Sequence, residues 1–174
     1  LCVMNGSLRI SEFSVSNLGN GGDDEWGPLD EIEIEVEIEN IDNSDSVSNV
    51  LVEIFIFDDD ANDVTNDFDI TDETIDLGRI KDDNQEMIIF EIKEIPGDIN
   101  EGDYRIYIKA YSEDDEAGQC VSESNDFENN GGEDSYHGFE VLREDDPAVV
   151  VKGLWPDIFQ ASCGDQDVEI SFSV

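Results

Sequence analysis

The chain has 174 residues, of which 47 are acidic and 8 are basic, and its formal net charge at pH 7 is −39. This balance argues against nucleic acid as a partner, because phosphate binding needs clusters of Lys and Arg. No run of about 18 apolar residues occurs, so we expect no insertion into a membrane. The charge repels itself and destabilises the compact state unless high salt, bound divalent cations or low pH relieves the repulsion.

Seven segments show the period-two or apolar pattern that is typical of strands. The clearest is LDEIEIEVEIEN, residues 29–40, which predicts a sheet with a core on its apolar face and water on its carboxylate face. In chain order the segments are residues 7–15, 29–40, 49–58, 74–80, 86–95, 102–111 and 136–143. Turn signals separate them and no convincing helix occurs. The sequence therefore predicts an all-β fold, a seven-stranded antiparallel β-sandwich.

A partial repeat follows these segments. Residues 167–174 repeat the pattern of residues 31–38, and residues 148–154 take the place of the first strand. We therefore expect one module at residues 1–146 and the first two strands of a second at residues 147–174.

Two apolar strands alone are marginal in water and need a partner sheet. Either the chain is a fragment of a longer multi-module protein, or these strands pair with a neighbouring subunit and build a head-to-tail polymer. The side chains that would fill the neighbour's core are Val149, Val151, Leu154, Val168, Ile170, Phe172 and Val174.

The order of the segments resembles CARDB-type, immunoglobulin-like modules of archaeal cell-surface and S-layer-like proteins. EGDYRIYIKAY at residues 101–111 and the restart between residues 145 and 165, DDPAVVVKG…SCGD, carry most of the resemblance. It covers nearly the whole chain. It implies an Ig-like sandwich with an extracellular structural role, as a stalk, adhesin, filament or surface-layer subunit.

One loop is rich in oxygen ligands for a hard cation such as Ca²⁺. Its candidate ligands are Asp58, Asp59, Asp60, Asn62, Asp63, Asn66 and Asp67. The spacing loosely resembles an EF-hand loop but lacks the central Gly and the terminal Glu. A solvated hairpin loop is the alternative, and Asp23, Asp24 and residues 113–116 are second choices for a cation.

The glutamate row of residues 31–39 is a separate electrostatic feature. Carboxylates on one face of a strand lie about 7 Å apart and repel one another at low ionic strength. We expect cations, salt or basic cross-strand partners such as Arg105 and Lys109 to relieve this repulsion.

The three cysteines, Cys2, Cys120 and Cys163, fit no zinc motif. Their wide spacing suits one disulfide and one odd thiol in an extracellular setting. We favour a Cys2–Cys120 bond, with Cys120–Cys163 as the competitor and three buried thiols as the alternative. Asn5 begins an Asn-Gly-Ser sequon and is a glycosylation site if the chain is secreted.

Catalysis has little support in the sequence. His137 is the single histidine, and the carboxylates show no pairing specific for hydrolysis, so we do not expect an enzyme. We expect a subunit at the cell surface that polymerises with copies of itself. The rival is a Ca²⁺-dependent adhesin or glycan-binding module, for which Trp26, Trp155 and Tyr107 are candidate aromatics, although packing is their commoner use.

Overall fold

The structure is a computed structural model that describes residues 6–121, 136–143, 149–151 and 159–161. The chain divides into two compact units, Leu1–Leu142 and Arg143–Val174. No helix in the described part of the chain is long and apolar enough to cross a membrane.

The first unit is a β-sandwich of two sheets. One sheet has the order β1-β3-β6 and the other has the order β2-β8-β7-β4-β5. The strands are β1 (Leu8–Asn17), β2 (Glu25–Trp26), β3 (Ile32–Asn40), β4 (Val47–Asp58), β5 (Thr74–Ile80), β6 (Gln85–Ile92), β7 (Gly102–Ser112) and β8 (His137–Val141). The predicted all-β sandwich is therefore confirmed, and each of the seven predicted strands is present.

Three details of the prediction were wrong. β2 is an additional strand, and it pairs with β8 in parallel, so the sandwich is not purely antiparallel. A four-residue helix, α1 (Glu116–Gln119), lies in the stretch expected to be an irregular loop, where the Asp115 side chain accepts a hydrogen bond from the amide of Gly118. A 3₁₀ turn at Thr65–Asp67 ends the acidic loop.

The core lies between the two sheets and follows from the alternation of the strands. The apolar residues of β3 are completely buried, as are alternate residues of β4 and β7. Complete burial of each Val or Ile side chain stabilises the fold by about 1.5–3 kcal/mol relative to exposure. The fully buried members of these three strands include Ile32, Ile34, Val36, Ile38, Val50, Val52, Ile56, Ile106, Ile108 and Ala110.

Trp26 closes one end of the core. Its ring is 0% exposed and stacks on Phe139 with the centroids 3.6 Å apart. The indole Nε1 donates to the carbonyl of Asp23 at 2.7 Å. This packing explains why a strand of two residues forms. Because Trp26 is buried beside β8, its backbone is held where Leu142 N donates to Trp26 O at 2.9 Å.

The second unit contains two described strands, β9 (Val149–Val151) and β10 (Phe159–Ala161). They form an antiparallel two-stranded sheet in which Phe159 pairs with Val151. β10 lies between the two strand segments that the repeat predicts at residues 148–154 and 167–174, where the sequence predicts no strand. The predicted second strand at residues 167–174 lies outside the described residues.

Candidate functional site

The outer face of the three-stranded sheet is a carboxylate surface, formed by Glu33, Glu35, Glu37 and Glu39 of β3. Glu37 is 8% exposed, and it accepts hydrogen bonds from Ser11 Oγ and Gln85 Nε2, each at 2.6 Å. These two donors satisfy oxygens of a buried carboxylate. Arg9 forms an ion pair with Glu39 at the end of the row.

The expected basic partners of this row were assigned to the wrong sheet. Arg105 and Lys109 lie on β7, in the five-stranded sheet. Arg105 pairs with Asp59 at 3.3 Å, and Lys109 Nζ lies 2.8 Å from Glu116. Alternation predicts the face of a strand on which a side chain lies, but it does not predict which of two sheets contains the strand.

Like charges therefore face each other across the carboxylate surface. Glu33 of β3 is directly opposite Glu91 of β6, and Glu37 is directly opposite Glu12 of β1. Like charges in opposed positions destabilise a sheet. We therefore expect screening by salt to stabilise the fold at this surface.

In the acidic loop after β4, some of the carboxylate oxygens accept hydrogen bonds from other residues of the same loop. Asp58 accepts from Asn62 N at 2.7 Å and from Asn62 Nδ2 at 2.9 Å, and these bonds hold the pKa of Asp58 below its usual value. Asp63 Oδ1 accepts from Thr65 Oγ1 at 2.6 Å. Asp60 and Asp67 are exposed.

Within the described residues, no three His, Cys, Asp or Glu side chains are grouped so that they could hold a metal ion. The Ca²⁺ site at Asp58, Asp59, Asp60, Asn62, Asp63 and Asp67 stays a prediction. The structure does place the loop beside a second turn. Asp58, Asn66 and Asp67 line an open recess together with Asp98 and Asn100. The Pro96-Gly97-Asp98 turn was visible in the sequence, but its position beside the loop was not.

Aromatic side chains gather on the outer face of the five-stranded sheet. Phe57 and Tyr107 meet edge to face with their centroids 5.4 Å apart, and Tyr107 lies 5.7 Å from Tyr136. The Arg105 guanidinium lies 5.4 Å from the centroid of the Tyr136 ring. These rings are half-buried, so within the described residues part of each ring is exposed to solvent.

Farther along the same face, Tyr111 is bonded to Glu53. Its hydroxyl donates to Glu53 Oε1 at 3.0 Å. Burial, followed by this hydrogen bond, raises the pKa of Tyr111 to about 12. Lys109 lies 4.1 Å from the ring centroid of Tyr111 and contacts Glu53 at 3.6 Å. This end of the face is a bonded network and not an open site.

The other proposed ligand aromatics and the histidine have different roles. Trp26 is buried and is not a ligand surface, and Trp155 lies outside the described residues. His137 Nε2 lies 2.8 Å from Asp24 Oδ1, and its ring lies 5.2 Å from that of Phe13. His137 therefore joins β8 to the loop before β2, as a structural strand residue.

The described start of the chain packs against the segment that leads to Cys120. Ser7 N donates to Gln119 Oε1 at 2.6 Å, and a Cβ added to Gly6 would lie 2.0 Å from Gly118 O. Cys120 itself is 5% exposed. Cys2, Cys163 and Asn5 lie outside the described residues, so the Cys2–Cys120 bond and the glycosylation stay predictions.

The predicted assembly residues are divided between described and undescribed parts of the chain. Val149 and Val151 belong to β9. Leu154, Val168, Ile170, Phe172 and Val174 lie outside the described residues.

Comparison with known proteins shows the fold alone. No family model and no curated protein matches the chain. Among solved structures, the C-terminal domain of Wzt is 11% identical, with 98% of this chain and 85% of that chain covered and a TM-score of 0.50. The CARDB domain of the PF1109 protein from Pyrococcus furiosus is 15% identical, with 79% and 94% covered and a TM-score of 0.42. A family 123 glycoside hydrolase from Clostridium perfringens is 14% identical, with 79% and 28% covered and a TM-score of 0.46.

Proposed function

We propose that this chain is an extracellular structural subunit that polymerises head-to-tail into a surface filament or layer by donating β-strands. In the proposed assembly, residues 147–174 of one copy add strands to the sandwich of the next. Main-chain hydrogen bonds supply affinity in such strand addition, and alternate side chains supply specificity.

The observation that carries this proposal is the two-stranded sheet of β9 and β10. A two-stranded sheet is marginally stable in water, whereas three or more strands with a buried face are stable. β9 consists of Val149, Val150 and Val151, and apolar strands at the edge of a sheet tend to pair with another chain. A sandwich that receives these strands would complete their sheet.

The test compares the full chain with a full-length variant that carries Val149→Asp and Val151→Asp. We expect the wild-type chain to form larger species as its concentration rises, measured by sedimentation velocity and negative-stain microscopy. We expect the variant to remain monomeric while the sandwich keeps its circular dichroism spectrum and thermal midpoint. A wild-type chain that is monomeric at all concentrations, with and without chelator, would contradict the proposal.

The aromatic surface of Phe57, Tyr107 and Tyr136 favours a second candidate function, a cation-dependent adhesin or glycan-binding module. Aromatic rings supply apolar faces for a sugar ring, and Arg105 with neighbouring carboxylates supplies hydrogen-bonding groups. The test is binding to a glycan array. Binding that is lost in Tyr107→Ala but kept in the variant with Val149→Asp and Val151→Asp would support this candidate over the first.

A further inference from the structure

The sandwich has four strands at sheet edges, and they differ in how well they resist pairing. In the described residues these strands are β1, β6, β2 and β5. Natural sheets protect their edges by bulges, short strands, charged side chains or a covering segment. An edge without such protection is the part of the surface that another strand can extend.

Three of the edges are protected. β2 has only two residues. The pairing of β4 with β5 is irregular, and β5 contains Gly78 at φ +65°, a conformation that suits a bulge and not a regular strand. β1 has a shift of register between Ile10 and Glu12.

β6 is neither short nor bulged, and its charged residues, Glu86 and Glu91, lie next to its two ends. It pairs with β3 through eight successive residues, without a bulge, from Gln85 opposite Glu39 to Ile92 opposite Ile32. Met87 and Ile89 of this strand are 57% and 43% exposed. Both are large apolar side chains exposed to water, and exposed apolar side chains that lie together often mark an interaction site.

The backbone groups of the same residues point away from the sheet. Thr71 N donates to Glu91 O, and Lys93 N donates to Asp69 O, so residues 69–71 cover only the end of β6. Backbone groups alternate in direction along an antiparallel strand. The N–H and C=O groups of Met87 and Ile89 therefore face the same edge as those of Glu91, and no strand of the described residues pairs with that edge beside them.

Charge restricts what can pair at this edge. Glu35 and Glu37 lie beside Ile89 and Met87 on the neighbouring strand, so an acidic partner strand would be repelled. In a chain of net charge −39, residues 147–156, PAVVVKGLWP, contain no acidic residue and include Lys152. β9 lies within this segment, and within the described residues one of its edges is paired with β10 while the other is not.

We propose that β6 is the acceptor edge of the assembly and that β9 of a second copy pairs with it. The pairing would join β1-β3-β6 of one copy to β9-β10 of the next, giving a five-stranded sheet. This inference rests on the proposed function, because it assigns the acceptor for the strands that the chain donates.

The test places a photo-activated benzophenone amino acid at position 89 of the full chain, with position 74 of the protected edge β5 as the control. Labelled (¹⁵N) and unlabelled copies are mixed, and cross-linked peptides are identified by mass spectrometry. We expect mixed-isotope cross-links from position 89 to peptides that contain residues 149–151, at least about tenfold more abundant than those from position 74.

A second measurement uses two double variants. One carries Met87→Lys and Ile89→Lys in β6, and the control carries Leu18→Lys and Leu29→Lys. Both variants replace two exposed apolar residues and change the net charge equally. We expect only the β6 variant to raise the concentration needed for half-assembly, by at least about tenfold.

The outcomes separate the two proposals. The β6 assignment would be overturned if polymers form without a cross-link from position 89 to β9 and both lysine variants assemble equally. Strand donation itself would not be contradicted by that result. Cross-links confined to peptides of one isotope would also overturn it, since pairing would then be within one chain. A wild-type chain that stays monomeric would overturn both proposals.

Discussion

At the scale of single residues, Asp30 fixes the turn that leads into β3. It is 3% exposed, and its Oδ2 accepts from Gly27 N at 2.7 Å and from Asn17 Nδ2 at 2.9 Å. Its Oδ1 accepts from Asn20 N at 2.9 Å. Burial raises the pKa of Asp30, but these hydrogen bonds outweigh burial and hold the pKa below the usual 3.8.

We expect Asp30→Asn to lower the free energy of unfolding at pH 7 by about 1–3 kcal/mol, because an amide cannot accept at both positions. The pKa of Asp30 is lower in the folded state than in the unfolded state. Its contribution is therefore present above pH 3.8 and is lost as the pH falls through the folded pKa. Urea unfolding at pH 7 and at pH 2.5 checks this.

The difference between wild type and Asp30→Asn should shrink at pH 2.5, and the exposed control Asp82→Asn should show little difference at either pH. An Asp30→Asn effect of equal size at both values would mean that the charge of Asp30 is not what stabilises the turn.

At the scale of elements, the strands were readable because alternation reports burial directly. The prediction for residues 74–80 agrees with β5 at both ends, and the predictions for β4 and β7 agree within two residues. β2 and α1 were not readable, since two and four residues are too short to show a period. β2 exists because Trp26 packs on Phe139, a contact between distant parts of the chain.

The candidate surfaces were less predictable than the strands. The carboxylate row was visible in the sequence, but its neighbours depend on which strands share a sheet. Asn40 illustrates the limit: it is 0% exposed and donates to Asp45 O at 2.9 Å and to Lys81 O at 3.2 Å. The sequence ends a strand at this residue and gives no sign of a buried amide that ties two loops together.

The opposed pair Glu33 and Glu91 gives a prediction about the carboxylate surface. We expect Glu91→Lys to raise the free energy of unfolding by about 0.2–1 kcal/mol at low ionic strength, because it replaces a like-charge pair by an opposite-charge pair. Asp82→Lys in an exposed turn makes the same change of net charge and is the control. Equal gains for both variants would show that net charge, and not the cross-strand pair, controls the stability.

The predicted Ca²⁺ site in the acidic loop can be separated from general screening. A bound ion stabilises the folded state by an amount that depends on concentration, about 2.7 kcal/mol at 100 times Kd. We expect CaCl₂ to raise the thermal midpoint more than MgCl₂ at equal ionic strength, and Asp60→Asn with Asp67→Asn to remove the difference. Asp82→Asn with Asp83→Asn is the matched control outside the loop. Identical responses to the two salts would argue against the site.

At the scale of the whole molecule, the large net charge is unfavourable to the compact state. The net charge of the chain is −39, and basic side chains such as Arg9, with Glu39, and Lys109, with Glu116, are each paired with a nearby carboxylate. Exposed ion pairs of this kind contribute little each. The buried core of the sandwich must therefore offset a repulsion that the few ion pairs leave largely uncancelled.

We expect the thermal midpoint of the wild-type chain to rise between 0.05 and 0.5 M NaCl, because salt screens the repulsion between carboxylates. The Debye length is about 10 Å at 0.1 M salt and about 3 Å at 1 M. Each kcal/mol gained raises the midpoint by about 2–4 °C for a chain of this length. Scanning calorimetry across this range, with dialysis against chelator beforehand, measures the effect. A midpoint independent of NaCl in chelator, with assembly also unchanged, would mean that the carboxylates do not repel strongly enough to limit stability, and the surface would then be a solubility feature alone.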